Sequence, residues 1–164
     1  MNIFTLIIRK VRDIVGLPSL QEVLPGVYAG DFGDARRVDA LRAHGITKVL
    51  NVACEIYDPN LTSDGIIQRK ADLVDWDDPD NEARVQAAMH TLDQWYGNPP
   101  QLTPVGNILV HCEGGRNRTL YVLARWWARR TGRDWLAVAK EIQDKRPEMA
   151  LHDWMLKQMN GKRW

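Results

Sequence analysis

Apolar residues recur along this chain in two patterns: short runs typical of buried strands and longer stretches with helical spacing. The helix predicted over 81–96 carries Val85, Met89, Leu92 and Trp95 on one face. The helix predicted over 34–44 has Asp34 as its N-cap. The predicted strands are 26–30, 47–53, 66–69 and 107–111, and the remaining predicted helix is 119–160, with breaks near Gly132 and Pro147. Strands separated by helices predict a single α/β domain with a central, mostly parallel sheet flanked by helices.

Composition adds three limits to this picture. With 164 residues, 45% hydrophobic and 26% charged, the chain is long enough for one globular core and is neither disordered nor membrane-spanning. A net charge of +1 gives no basic field, so we expect no nucleic-acid binding from charge alone. Two cysteines do not make a disulfide framework, which favours a reducing, cytoplasmic setting.

The first nineteen residues form a separate segment. An apolar run at 3–8 is too short to span a membrane, and arginine and lysine follow it. We predict a helical extension over 1–19 that packs against its own domain. A helix over 1–15 lying on a membrane surface is the alternative.

Residues 108–119 hold the densest set of chemically informative side chains. The apolar run at their start predicts a buried strand, and the stretch from Thr119 onward is typical of a helix. Cys112 lies on the glycine-rich turn between them, where free backbone N–H groups and the helix dipole bind an anion and favour a thiolate. Arg118 follows six residues later and can hold two oxygens of a tetrahedral oxyanion at once. The pattern predicts a phosphate-binding turn with a nucleophile at its base.

This stretch resembles the cysteine-dependent phosphatases of the His-Cys-x5-Arg-Ser/Thr type, and most closely their compact dual-specificity branch. The segments 22–31, 41–52 and 145–158 resemble the opening strand, the first helix with the second strand, and the closing helices of that family. The resemblance therefore implies a catalytic domain over 20–164. His152 departs from the family pattern, in which many members carry asparagine, and we expect this change to be tolerated.

The resemblance implies a two-step phosphomonoester hydrolysis that needs neither metal nor cofactor. Cys112 is the implied nucleophile and Arg118 the implied phosphate ligand, with Thr119 hydrogen-bonded to the thiolate and His111 orienting the loop. The implied substrate-binding residues all lie in the same turn: Glu113, Gly114, Gly115, Arg116, Asn117 and Arg118.

Such chemistry also needs a proton donor for the leaving oxygen. The acidic stretch 72–80 precedes the helix at 81–96 and is the obvious source. Matching this helix to the family pattern places the general acid on Asp75, with Asp77 and Asp78 as alternatives. A solvated acidic turn, with Asp80 or Asn81 capping the following helix, is the structural alternative.

The substrate is less well defined by the sequence. Phosphotyrosine, phosphoserine or phosphothreonine in a protein is the first expectation, and a small phosphate ester is included. Arg116 resembles the basic loops of lipid phosphatases, and residues 117–119 resemble RNA 5′-triphosphatases, so these substrate classes are alternatives. A phospho-binding module without turnover, or a sulfur transferase, fits less well because the cysteine, the arginine and candidate acids are all present.

The second cysteine and the histidines give little further information about function. Cys54 follows a predicted strand near the catalytic turn, and we interpret it as a buried inert thiol, with a protective disulfide to Cys112 as the alternative. The four histidines have no metal-ligand spacing, so we predict no zinc site.

Overall fold

A computed structural model of the protein describes residues 19–97 and 103–159. The predicted extension over 1–19 therefore falls, except for its last residue, outside the described residues. The strands are β1 (Gln21–Leu24), β2 (Val27–Gly30), β3 (Ile46–Ala53), β4 (Ile67–Leu73) and β5 (Asn107–His111). The helices are α1 (Phe32–Ala35), α2 (Val38–Ala43), α3 (Asn81–Tyr96), α4 (Asn117–Thr131), α5 (Trp135–Lys145) and α6 (Asp153–Met159).

The five strands form one sheet in the order β1-β2-β5-β3-β4. Only the β1–β2 hairpin is antiparallel, and the other three pairings are parallel. The last strand in sequence, β5, thus lies in the middle of the sheet between β2 and β3. In parallel sheets the carboxyl ends of neighbouring strands meet at one edge, so the loop that follows β5 lies at the centre of that edge.

Helices cover both faces of the sheet, as the strand-helix alternation predicts. Neighbouring residues of β5 point to opposite faces: Ile108 and Val110 pack in the larger core, and Leu109 packs in the smaller one. The larger core includes α3 and α4, where Tyr96 and Trp126 meet edge to face with ring centroids 5.1 Å apart. The predicted α/β class with a mostly parallel sheet is confirmed. None of the described helices is long and apolar enough to span a membrane.

The predicted helix at 34–44 is in fact two short helices. Asp31, not Asp34, is the N-cap of α1, and Asp34 is the third helical residue of a capping box that closes on it. The chain then leaves helical geometry at Arg37 and starts α2 at Val38. An aspartate suits either position, so its presence alone did not locate the cap.

The strand predicted over 66–69 runs further, to Leu73. Arg69 and Lys70 interrupt the apolar pattern in the sequence, yet Ala71 and Leu73 beyond them are buried. Because β4 is an edge strand, its charged side chains face solvent without disturbing the core.

Candidate active site

Cys112 lies where the sheet meets α4. It follows β5 directly, and α4 begins at Asn117, so residues 112–116 (the Cys112 loop) make the connection. The Cys112 side chain is only 3% exposed, at the bottom of a cavity of about 60 Å³. No side chain caps the start of α4. The N–H groups of its first turn, which have no partner within a helix, remain available to an anion.

Glycine is required at position 115 by the packing of the Cys112 loop. Gly115 has a φ of +60°, and a Cβ built there would lie 2.0 Å from the carbonyl oxygen of Gly30. The N–H of Phe32 also donates to the Glu113 carbonyl at 3.0 Å. The loop is therefore pressed against the turn that follows β2, and a side chain at 115 would displace it.

Arg118 is held by the carboxylate of Glu55, just after β3, and by the carbonyl of Leu73, the last residue of β4. Its Nη1 donates to Glu55 Oε2 at 2.6 Å and to the Leu73 carbonyl at 3.1 Å, and its Nη2 donates to Glu55 Oε1 at 2.5 Å. A guanidinium has five N–H groups, and these contacts use three of them. The N–H of Nε and the second N–H of Nη2 remain, and they form one edge suited to two oxygens of a phosphate.

The contact between Arg118 and Glu55 shifts the pKa values of both groups. Hydrogen bonding from Arg118 lowers the pKa of the Glu55 carboxyl to about 2, against the opposing effect of burial. Burial works to lower the pKa of Arg118, but Glu55 and the nearby Cys112 and Asp75 raise it on balance. Arg118 therefore stays charged although its side chain is 3% exposed.

Two buried polar atoms at the start of α4 have no hydrogen-bond partner among the described residues: Arg118 Nε and Thr119 Oγ1. Buried polar groups are nearly always paired in folded proteins, and leaving one unpaired costs about 1–3 kcal/mol. Both atoms belong to the first turn of α4. An anion bound beside this turn would supply the acceptor that Arg118 Nε lacks.

His111 is fully buried beside Cys112. Its Nε2 lies 3.0 Å from Asp58 Oδ2, and its Nδ1 lies 3.3 Å from the Cys112 carbonyl oxygen. The imidazole thus links the Cys112 loop to the segment after β3. This geometry agrees with an orienting role and places neither ring nitrogen in the cavity lining.

Asp75 is the aspartate of the predicted acidic stretch that reaches the cavity. It lies in the acidic loop (residues 74–80) between β4 and α3, and its Oδ1 is 3.9 Å from Arg118 Nε. Asp77 Oδ1 instead accepts from Gln158 at 3.3 Å, and Asp78 Oδ1 accepts from the backbone N–H of Asp80 at 2.8 Å. Neither alternative acid lines the cavity.

Buried Asn81 holds the acidic loop on both sides of Asp75. Its side-chain oxygen accepts from the Val74 N–H at 3.1 Å, and its Nδ2 donates to the carbonyls of Val74 at 3.2 Å and Trp76 at 2.9 Å. The backbone at 74–76 is thereby fixed to the first residue of α3. Asp80 occupies the N-cap position of α3, but its side chain makes no capping hydrogen bond.

Most of the predicted site residues come together in one place. The cavity is lined by Asp75, Cys112, Glu113, Gly114, Arg116, Asn117 and Arg118. The other three predicted residues, Gly115, Thr119 and His111, do not line it. They lie in the loop packing, in the first turn of α4 and at the end of β5.

Sequence reasoning missed Glu55, Asp58 and Asn81. Each is a single polar residue outside the motif. The partners of Glu55 and Asp58 are far away in sequence, whereas Asn81 contacts the nearby residues Val74 and Trp76. The position of Glu55 just after a predicted strand was the available signal, because polar residues at strand ends often reach an active site.

The second cysteine is close to this site. Cys54 is half-buried, not buried as expected, and its Sγ donates to Glu55 Oε2 at 3.3 Å. Burial and the adjacent carboxylate raise the pKa of the Cys54 thiol. Both cysteines are free thiols. Among residues 19–97 and 103–159, no cluster of three histidine, cysteine or acidic side chains could hold a metal ion.

Comparison with known proteins finds several phosphatases of one type. No protein-family model matches the chain. Dual specificity protein phosphatase 1 of Arabidopsis thaliana is 22% identical over 151 residues, covering 92% of this chain and 71% of the relative. Dual specificity protein phosphatase 15 of Mus musculus is 26% identical over 128 residues, which are 78% of this chain and about half (51%) of the relative. The sequence of the chain is similar to those of dual-specificity protein phosphatases.

Solved structures of these phosphatases have the same fold. The crystal structure of human DUSP28 superimposes with a TM-score of 0.73 at 20% identity, covering 87% of this chain and 91% of that one. The resemblance of the sequence to dual-specificity phosphatases is confirmed, and phosphate-ester hydrolysis is the activity that the sequence relatives support. The solved structure shows that the fold is shared.

Proposed function

We propose that the protein is a phosphomonoester hydrolase that works through a cysteinyl-phosphate intermediate on Cys112. One observation carries this proposal. At the start of α4, beside the buried Cys112, the donor Arg118 Nε and the hydroxyl Thr119 Oγ1 are unpaired among the described residues. A tetrahedral phosphate bound in the cavity supplies oxygens for the first, and a thiolate supplies an acceptor for the second.

In the first step the Cys112 thiolate attacks phosphorus in line with the leaving oxygen. The S–P bond forms as the P–O bond breaks, and Asp75 gives its proton to the departing oxygen. Backbone N–H groups of the Cys112 loop and the free edge of Arg118 bind the equatorial oxygens, whose charge rises in the transition state.

In the second step water hydrolyses the intermediate. Asp75, now ionised, takes a proton from the attacking water, and the S–P bond breaks to release phosphate and the thiolate. Thr119 Oγ1 donates to the thiolate as it leaves. His111 acts through structure, because it holds the Cys112 carbonyl and Asp58 in place.

Phosphorylated tyrosine, serine or threonine side chains are the proposed substrates. The cavity of about 60 Å³ suits one phosphate group. The Arg116 side chain folds over Gly114, where a Cβ would lie 3.1 Å from its Nε, and Glu113 places an opposite charge in the same lining. This arrangement favours a single phosphate over a multiply charged lipid head group.

Hydrolysis of phenyl phosphate with EDTA present tests the mechanism. We expect activity in the wild type, background rates in Cys112→Ser, and a loss of about 100-fold in Asp75→Asn. Asp77→Asn is the matched control, since Asp77 contacts α6 and is expected to keep nearly full activity. Turnover by Cys112→Ser would refute the covalent mechanism.

Substrate class is tested with the same variants. Phosphotyrosine and phosphothreonine peptides should be hydrolysed with higher kcat/KM than a phosphoinositide or an RNA 5′-triphosphate. A preference for either of the latter two that Arg116→Gln abolishes would move the substrate assignment to that class. If the wild type turns over none of them but binds a phosphopeptide, the protein is a binding module.

A further inference from the structure

His152 lies against Asp75. Its Nε2 is 3.6 Å from Asp75 Oδ1, and the side-chain amide of Asn117, at the start of α4, contacts the same nitrogen. Nε2 donates to Asp75 only when this amide presents its oxygen to the imidazole, because an amide N–H there would occupy the Nε2 lone pair. The imidazole is 45% exposed and Asp75 is 37% exposed, so the pair lies at the rim of the cavity. Sequence similarity indicated only that this position departs from the family pattern.

The contacts of Asp75 distinguish its two oxygens. Oδ1 faces both His152 Nε2 at 3.6 Å and Arg118 Nε at 3.9 Å. Oδ2 has no hydrogen-bond partner within residues 19–97 and 103–159. Without His152, Arg118 would be the single neighbour of Oδ1, and pairing with it would draw the carboxylate onto the edge that binds phosphate. A neighbour on the outer side keeps Oδ1 away from that edge and leaves Oδ2 to carry a proton.

His152 is well placed to do this because its backbone is fixed. Its carbonyl oxygen accepts the Met155 N–H at 3.0 Å, so it stands at the start of α6. The same helix contacts the acidic loop a second time, where Gln158 Nε2 donates to Asp77 Oδ1 at 3.3 Å and to the Asp78 carbonyl at 3.4 Å. The start and the end of α6 therefore both hold the acidic loop.

We propose that His152 is a positioning residue for the general acid: it orients Asp75 so that Oδ2 delivers the proton to the leaving oxygen. This inference rests on the proposed function. It predicts that loss of His152 lowers kcat/KM most for substrates whose leaving group needs a proton. It also predicts that His152 has no effect when Asp75 cannot supply one.

The test compares two aryl phosphates. Phenyl phosphate releases an oxygen about as basic as tyrosine, with a pKa of about 10. The leaving group of 2,4-dinitrophenyl phosphate is a stable anion and needs no proton. We expect His152→Ala to lower kcat/KM for phenyl phosphate about tenfold and for the dinitrophenyl ester less than twofold. His152→Gln, which keeps a hydrogen-bonding group, should recover part of the loss.

Two further variants make the test specific. In an Asp75→Asn background, His152→Ala should cause no additional loss on either substrate. His90→Ala is the matched control, because His90 is an exposed histidine on α3 whose ring contacts Gln94 at 2.9 Å, and it should behave as wild type.

Equal losses on both substrates, or losses that add to those of Asp75→Asn, would overturn the positioning role. So would full activity of His152→Ala on phenyl phosphate. These outcomes differ from failure of the proposed function, in which Cys112→Ser keeps its activity or Asp75→Asn shows no dependence on the leaving group.

Discussion

Removing the Glu55 carboxylate should weaken both the fold and the phosphate site, because Glu55 holds two N–H groups of Arg118. The carboxyl has a pKa of about 2 in the folded protein, against 4.5 for an unperturbed glutamate. At 1.36 kcal/mol for each tenfold change, this difference corresponds to about 3 kcal/mol. Because the Glu55 side chain is 43% exposed, solvent screening reduces the contribution to about 1–2 kcal/mol.

Glu55→Gln should therefore lower the melting temperature by about 3–6 °C, given about 2–4 °C for each kcal/mol in a domain of this size. It should lower kcat/KM by about 5- to 30-fold, because Arg118 is no longer held with its free edge toward phosphate. Calorimetry and phenyl phosphate hydrolysis measure the two effects. Asp64→Asn is the control, since Asp64 pairs with Arg42 at 2.8 Å on the surface away from the site. This variant should change neither quantity appreciably.

The contribution of Glu55 to the stability of the fold depends on pH in a definite direction. Folding depresses the pKa of Glu55, so its stabilising contribution is fully present above the unfolded pKa of 4.5 and is lost as the pH falls through about 2. The stability difference between wild type and Glu55→Gln should be constant above about pH 5 and should vanish near pH 2. A folded Glu55→Gln with kcat/KM equal to or above wild type would refute the reasoning, since it would mean that the carboxylate competes with phosphate for Arg118.

Two further substitutions test the packing around the site. Gly115→Ala should destabilise the protein by more than about 2 kcal/mol and abolish hydrolysis, because a Cβ meets the Gly30 carbonyl. Gly132 has a similar positive φ but open space around it, so Gly132→Ala should cost only about 1 kcal/mol and keep full activity. If urea unfolding showed equal destabilisation by the two substitutions, the packing argument would be contradicted. Asn81→Ala removes three buried hydrogen bonds beside Asp75, so it should cost about 2 kcal/mol and slow phenyl phosphate hydrolysis about tenfold more than hydrolysis of the dinitrophenyl ester. Equal slowing of both esters would show that the acidic loop is not what Asn81 supports.

Four of the five strands, β2 to β5, and the Cys112 loop were predictable from sequence because their determinants are local, whereas β1 was not among the predicted strands. The apolar run of β5, the glycines after Cys112 and the first turn of α4 are consecutive, so strand, turn and helix appear in order. The bounds of α3 agree with the prediction for the same reason, since one apolar stripe sets them. The predictions for residues 34–44 and for β4 were less accurate, because a capping box and an edge strand depend on neighbours that the local pattern does not contain.

The partners of the motif residues were not predictable, because they depend on strand order. Glu55 is 63 residues before Arg118, and Asp58 is 53 residues before His111. They meet because β5 inserts beside β3, which brings the segment after β3 next to the Cys112 loop. Once that order is known, the carboxyl ends of β3, β4 and β5 define where polar residues must gather.

Strand order alone still leaves the pairing of charges open, and at this site the pairing has chemical consequences. A phosphate dianion must bind although four carboxylates lie nearby. Glu55 is engaged by Arg118 and Asp58 by His111, so each of these two carboxylates faces a basic side chain and not the open cavity. The other two, Asp75 and Glu113, line the cavity, and Asp75 lies between Arg118 and His152. If either inner pair were broken, a negative charge would face the phosphate position, and anion binding would weaken. The inner carboxylates are thus compatible with phosphate binding only while their basic partners are in place.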